Sequence, residues 1–454
     1  MADGATAHGG GEDAVLAVGR AIHAALPSAH GPLRGLDERA MELAAQDAQL
    51  RAALFRFVDV VPACRSLDDL ARHLTGFLGE VETAKPPPIA AALRMGSTRA
   101  GRAALGAASA AGVRHMAHRF IVGATVGDAT GVLRHLWDDG VATSVDLLGE
   151  ATITAGEADR YAARCREALE QLTAVYRGLP PRERLEADGL GPIPRANLSV
   201  KVSALTPLLR PDAPGLGQRD AATRLRDLLR TARSLGAHVH IDMESLDSRE
   251  AVADLAMELL AEPEFADGPS AGMVLQAYLR DSPELCDRLI AFARDVPRAH
   301  PLVVRLVKGA YWDHEVVEAR QHGWGVPVFE VKAESDRNFE ALTVRLLRAR
   351  ADGVALRPAI ASHNLRSVAH AMAVARALHL DDGDVELQVL RGLGDDLQGA
   401  LAALGLRVRT YCPVGDLVAG MAYLVRRLLE NTSNEGFLSA QHEGVPLERL
   451  LAAP

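Results

Sequence analysis

Only four lysines, at positions 85, 201, 308 and 332, stand among the 50 basic residues of this 454-residue chain; the rest are arginines. Lysine offers a compact point charge with three donors where arginine offers a planar fork, so a lysine kept in such a chain marks a place the fork would serve badly. Lys201 lies in Asn197-Leu-Ser-Val-Lys-Val-Ser-Ala-Leu205 and Lys308 in Val304-Arg-Leu-Val-Lys-Gly-Ala-Tyr-Trp312, both otherwise buried-strand runs, and Lys332 closes Phe329-Glu-Val-Lys332. A charge in apolar surroundings is costly to desolvate and needs a partner or a task. Lys85, beside three prolines, reads as a surface residue.

Two further constellations carry chemistry. In the last helical segment, which Asp416 can cap, Leu417, Met421, Leu424 and Leu428 form an apolar stripe, while Tyr423, Arg426, Arg427 and Glu430 fall on another face. Two adjacent guanidiniums make a bidentate carboxylate clamp, or else a solvated face that complements the helix C-terminal dipole. Both readings stay open on pattern alone. In His238-Val-His240-Ile-Asp242 the period-two alternation points three polar side chains to one side of a strand. That resembles a metal-ligand set, or two satisfied core histidines with Asp242 alone reaching a site. The Gly-x-x-x-x-Gly-Lys phosphate loop and the Gly-x-Ser-x-Gly elbow are absent.

These residues need elements to position them. Short β-rich runs at 142–148, 198–205, 237–244, 273–279, 302–310, 356–362, 385–390 and 406–411 alternate with amphipathic helical stretches. Eight strands separated by helices predict an α/β fold, a (β/α)8 TIM-like barrel with its site at the C-terminal ends of the strands. Asp146, Lys201, Asp242, Gln276, Arg305, Lys308, His363, Gln388 and Tyr411 come late in these runs. A doubly wound sheet is the rival, but Gly392-Leu-Gly394 lacks the third glycine of its phosphate fingerprint. Ahead of the barrel the pattern is helical, interrupted at Pro62 and at Lys85-Pro-Pro-Pro88, with an Ala-rich helix over 99–120. The expected division is an unstructured 1–14, an α-helical arm over 15–119, the barrel over 120–440 and a tail over 441–454.

With 48% hydrophobic residues the chain can bury a large core, and its net charge of −9 argues against a nucleic-acid partner. Four scattered cysteines lack metal-ligand spacing and disulfide density, which places the chain in a reducing cytosol. Neither a signal peptide nor an apolar run near the roughly 20 residues of a membrane span is evident, so any membrane contact would be peripheral.

Lys308-Gly-Ala-Tyr-Trp312, Ser362-His-Asn364, Tyr411-Cys-Pro-Val-Gly415 and Tyr423-Leu-Val-Arg-Arg-Leu-Leu-Glu-Asn431, in this order, resemble the proline dehydrogenase family, and most closely the dehydrogenase domain of bifunctional proline utilization A. The likeness covers about 115–440, with a weaker match at Phe55-Arg-Phe-Val-Asp59. It implies a distorted (β/α)8 barrel that binds FAD, oxidises L-proline to Δ1-pyrroline-5-carboxylate by hydride transfer to flavin N5, and passes electrons to a membrane quinone. This is the first step of proline catabolism to glutamate. The resemblance makes Arg426 and Arg427 the substrate carboxylate clamp, assisted by Lys201, and lines the pocket with Tyr311, Leu390, Tyr411 and Tyr423. Asp242 would organise the cationic cluster and Arg305 would lie beside flavin N5, these two and Lys201 forming the catalytic set. Met243, Gln276, Arg305, Val307, Lys308, Gly309, Ala310, Lys332, Ser362, His363, Asn364 and Gln388 would hold the cofactor, with no metal.

Many relatives carry Thr where Ser362 stands and a smaller residue than Cys412; neither difference removes chemistry. The chain has neither the DNA-binding module nor the aldehyde dehydrogenase domain of long relatives, which fits a one-activity enzyme or an excised segment. A separate or excised pyrroline-5-carboxylate (glutamate semialdehyde) dehydrogenase would then be its partner. Two rival readings are a metal-dependent barrel hydrolase using His238, His240 and Asp242, and a flavin-binding regulatory module without turnover.

Overall fold

The computed structural model describes residues 11–27, 47–83, 86–149, 152–416, 420, 423 and 445–454. Eight apolar runs form the strands β1 (Val141–Leu147), β2 (Asn197–Lys201), β3 (His238–Asp242), β4 (Ser270–Gln276), β5 (Leu302–Val307), β6 (Leu356–Ala361), β7 (Glu386–Leu390) and β8 (Val408–Val414). Each pairs in parallel with its neighbours, and β8 closes on β1, so the sheet is a closed barrel. The strands are buried at almost every position because one face meets the barrel interior and the other the surrounding helices.

Each expected run holds one strand, with shifted ends. The run at 198–205 stops as a strand at Lys201 and turns into a 3-10 segment, Val202–Ala204. That at 273–279 begins earlier, at Ser270, and that at 406–411 continues to Val414. The helices between them carry ordinary start signals. Thr125 with Asp128 and Thr154 with Glu157 form reciprocal capping boxes at the helices Val126–Asp138 and Ala155–Arg177. On the helix Pro214–Leu235, Leu225, Leu228, Leu229 and Ala232 make the buried stripe.

The N-terminal helices divide into two groups. Helix α1 (Glu12–Ala25) begins three residues ahead of the expected start of the arm, and its Val15, Val18 and Ile22 join the barrel's own core. It lies on the helix Leu365–Ala377, with Glu12 paired to Arg366, and the C-terminal Leu451 is fully buried against it. Helices α2 (Ala48–Val60), α3 (Leu67–Gly79), α4 (Pro87–Gly96) and α5 (Arg99–Phe120) build a separate apolar cluster around Leu50, Phe57, Leu70 and Phe120. Pro87 opens α4 at a first-turn position, where a missing N–H costs nothing, so the proline run leads into a helix. Among the described residues no helix is long and apolar enough to cross a membrane.

A two-stranded hairpin, Ala187–Asp188 with Gly191–Pro192, reaches the N-terminal end of the barrel. There Asp188 accepts from Arg357 Nε at 2.8 Å, Arg357 Nη2 at 2.9 Å and Arg407 Nη1 at 3.2 Å. Burial works to raise the Asp188 pKa, but the two guanidiniums outweigh it and hold the carboxyl below its usual range.

Candidate active site

At the C-terminal end of the barrel the late polar residues of several strands converge. Lys201 ends β2 and stands in register with Asp242, which ends β3. Asp242 Oδ1 accepts from Arg305 Nη1 at 2.7 Å and Ser199 Oγ at 3.2 Å, while Oδ2 accepts from the Tyr411 hydroxyl at 2.8 Å. Arg305 Nε donates to Gln388 Oε1 at 2.7 Å, and its guanidinium lies 5.2 Å from the Tyr411 ring centroid. Longer bonds of 3.3 Å run from Arg305 to Ser144 and Ser199. Five expected site residues, Lys201, Asp242, Arg305, Gln388 and Tyr411, are therefore brought to one end of the barrel.

The electrostatics follow from burial. Tyr411 is pushed well above the ordinary phenol range by desolvation first, then by Asp146 and Asp242, so it stays a neutral donor. Lys201, 8% exposed, pairs with Asp146, which is 2% exposed near the end of β1. Asp146 was legible as a late polar residue, but nothing in its own run named its partner. Ser144 and Ser199 were missed altogether. Their signal is the same alternation, since 144 and 146, and 199 and 201, share a face.

A second cationic group sits beyond β5. Lys308 and Lys332 both pair with Asp336, leaving one positive charge in excess in this cluster. Burial lowers the Lys308 pKa against the opposing pull of Asp336. Gly309 adopts φ +131°, and a Cβ there would meet the Tyr278 ring at 2.2 Å, so only glycine fits this turn. Gln276 ends β4 and donates through Nε2 to the Glu244 carbonyl at 2.9 Å, while its buried Oε1 has no protein donor. An unpaired buried acceptor here suits a ligand N–H.

The remaining expected residues are placed more diversely. His363 Nε2 accepts from the Leu390 N–H at 2.9 Å. Asn364 caps the helix Leu365–Ala377 through Ser367 N at 3.1 Å, and Ser362 Oγ accepts from the Asn364 N–H at 3.1 Å. Tyr311 precedes the helix Trp312–His322 and packs with Tyr278, Leu279, Val316 and Val328, whereas Leu390 and Tyr423 pack against the α2–α5 cluster. Val307 ends β5, Ala310 follows Gly309 in the same turn, and Met243 is buried just after Asp242. Arg426 and Arg427 lie outside the described residues.

His238 and His240 do not converge with Asp242. His238 Nδ1 meets Ser270 Oγ at 2.8 Å and its Nε2 meets His240 Nδ1 at 3.2 Å, while the Asp242 carboxylate is taken by Arg305 and Tyr411. Desolvation, then nearby arginines, holds both imidazoles well below their usual pKa and therefore neutral. Gly272 makes the room, because a Cβ there would stand 2.4 Å from His240 Nδ1.

Comparison with known proteins gives one family. The family model for proline dehydrogenase matches residues 129–440, and that for the proline utilization A N-terminal domain matches 12–120. The chain is 33% identical over 350 residues to the bifunctional protein PutA of Escherichia coli, covering 75% of this chain and 25% of that protein. It is 26% identical to proline dehydrogenase 1 of Bacillus subtilis, covering 73% of this chain and 92% of that protein. The solved structure of proline utilization A from Bdellovibrio bacteriovorus inactivated by N-propargylglycine superposes with a TM-score of 0.88 at 34% identity, over 98% of this chain and 44% of that one. The chain thus spans about a quarter of the length of the bifunctional relatives it matches.

Proposed function

The chain belongs to the proline dehydrogenase family, and on that premise we propose that it oxidises L-proline to Δ1-pyrroline-5-carboxylate with bound FAD, at the C-terminal mouth of the barrel. What carries this reading is the cluster of buried Asp242, Arg305 and Gln388 with half-buried Tyr411, beside Lys201. FAD, when bound, supplies the two-electron acceptor.

The chain's own residues do the rest by position and charge. Arg305, held by Asp242 on one edge and Gln388 on the other, presents a fixed cation that favours an electron-rich, anionic neighbour. Gln276 Oε1 offers an acceptor to a ring N–H, and the excess charge of Lys308 and Lys332 over Asp336 suits a phosphate. Gly309 keeps the chain close-packed at that point, between Val307 and Ala310. Met243, Ser362, His363 and Asn364 complete the proposed cofactor contacts. For the substrate, Arg426 and Arg427 take the carboxylate with the Lys201 ammonium, and Tyr311, Leu390, Tyr411 and Tyr423 form the walls. The substrate amine must be neutral, so that its lone pair stabilises the developing iminium.

Electrons leave to a membrane quinone, with the protein cytoplasmic and peripheral at the inner face of the membrane. The product passes to a pyrroline-5-carboxylate dehydrogenase, in keeping with the bifunctional relatives. The test is product formation: L-proline and a soluble quinone should yield a pyrroline-5-carboxylate adduct with o-aminobenzaldehyde. Zinc-dependent hydrolysis without that product would favour the barrel hydrolase, and flavin retained without turnover the regulatory module.

A further inference from the structure

Glu386 and Gln388 are two residues apart on β7, and both side chains point into the barrel. They are 6% and 5% exposed, and Arg305 is 4% exposed. Gln388 Oε1 accepts from Arg305 Nε at 2.7 Å, and Gln388 Nε2 donates to Glu386 Oε1 at 2.6 Å. A glutamine amide can be turned end for end with almost no change of shape, so its orientation needs an external cause. Here both ends supply one. A guanidinium only donates and an ionised carboxylate only accepts. The turned amide would set its NH2 against Arg305 Nε–H and its oxygen against the carboxylate, losing two charge-assisted bonds at once.

Glu386 is itself anchored. Arg409 donates to it through Nε at 2.8 Å and Nη2 at 2.9 Å, and ties back to the Thr143 carbonyl through Nη1 at 2.8 Å. Burial would raise the Glu386 pKa, but Arg409, with help from Arg407 and the Gln388 amide, brings it down to about 2, so it is a carboxylate throughout the neutral range.

We propose that Glu386 is a positioning residue that dictates which way the Gln388 amide faces and, through it, holds the Arg305 guanidinium in place at the mouth of the barrel. Its effect on the reaction rests on the reading that FAD lies against Arg305. Glu386, the first residue of β7, acts only through Gln388 and Arg305 in this proposal.

The test is Glu386→Gln in the FAD-loaded enzyme. A neutral amide both donates and accepts, so one of the two restraints that orient Gln388 is lost and the acceptor it offers Arg305 Nε is held less firmly. The expected result is an approximately tenfold weaker stabilisation of reduced flavin, a fall of about 30 mV in its two-electron midpoint potential. kcat should drop by a similar factor with KM for proline within about twofold. The shift should also be non-additive with Gln388→Met, since both act through one link. An unshifted potential with only a lower melting temperature, or additive shifts in the double variant, would overturn the proposal. If E386Q does not fold, Glu386→Gln with Arg409→Gln removes the buried pair together and takes away the same restraint on Gln388. The lock can also be read without flavin, in protein labelled with 15N-arginine. The Arg305 Nε–H signal, identified by its loss in Arg305→Lys, should be protected from exchange in the wild type and exposed in the variant. An unchanged signal sinks the lock, whereas a wild type that holds no FAD sinks the functional reading alone.

Discussion

Both ends of the barrel pair cations with carboxylates, to opposite purpose. At the N-terminal end the cations are sealed: Arg357, Arg407 and Arg409 have side chains 3%, 1% and 3% exposed, held by Asp188 and Glu386. At the C-terminal end Lys201, Lys308 and Lys332 are 10%, 27% and 43% exposed, paired with Asp146 and Asp336. A sealed guanidinium cannot exchange its carboxylate for anything else. A lysine at the mouth can share its charge with an arriving anion, and its compact ammonium tolerates the change of partner better than a fork would. The difference is one of access, and it assigns stability to the Asp188 cluster at one end and chemistry to the other, with Glu386 linking the two through Gln388.

That division can be broken most forcefully from the sealed end. Asp188→Ala would leave Arg357 and Arg407 without their shared carboxylate, at a cost of about 3–5 kcal/mol. Denaturant unfolding should show that loss while turnover per folded molecule is preserved. If turnover falls and stability holds, the assignment of the two ends is reversed.

In the proposed substrate clamp, Arg426→Met or Arg427→Met should each remove a charge-assisted contact of about 1.5–3 kcal/mol. The expected loss in kcat/KM for proline is about tenfold to a hundredfold, with flavin retained and melting unchanged. Wild-type kinetics in both variants would take the clamp out of the account.

Tyr411 sharpens the picture on the substrate side. As the proposed wall beside the proline ring, it should disfavour trans-4-hydroxyproline by about 1–3 kcal/mol, or roughly 10- to 200-fold in kcat/KM. Tyr411→Ser should narrow that preference, chiefly by slowing proline oxidation. Equal rates on both substrates in the wild type would remove Tyr411 from the gate.

The remaining effect is graded with conditions, a pH slope. His238 and His240 are buried neutral, with folded pKa values well below 6.5. Below about pH 6.5 the unfolded chain therefore binds more protons than the folded one, and stability falls as pH falls. Each imidazole adds about 1.4 kcal/mol per pH unit once the unfolded form is fully protonated. Unfolding free energies at pH 7 and pH 5 should differ accordingly, and His238→Asn should flatten the slope; an unaltered slope would mean other groups set the acid limit.

Much of the mouth was legible in the sequence because alternation and position act within a single strand. Lys201, Asp242, Arg305, Gln388 and Tyr411 could be singled out as late polar residues of apolar runs before any fold was known. What closure of the barrel creates was not legible. Glu386 on β7 and Arg409 on β8 meet only when the strands pair, and Asp188 arrives from a hairpin between β1 and β2. Likewise, the amphipathic pattern of α1 announces a helix but not that its apolar face lies on the barrel, apart from the other arm helices.

The most direct measurement is the absorption spectrum of the purified, FAD-loaded protein under anaerobic titration with L-proline. The flavin band should bleach fully, in the Asp188→Ala variant as in the wild type, and bleach poorly once Arg426 or Arg427 is replaced. A folded, flavin-loaded wild type whose spectrum L-proline leaves unchanged would contradict it.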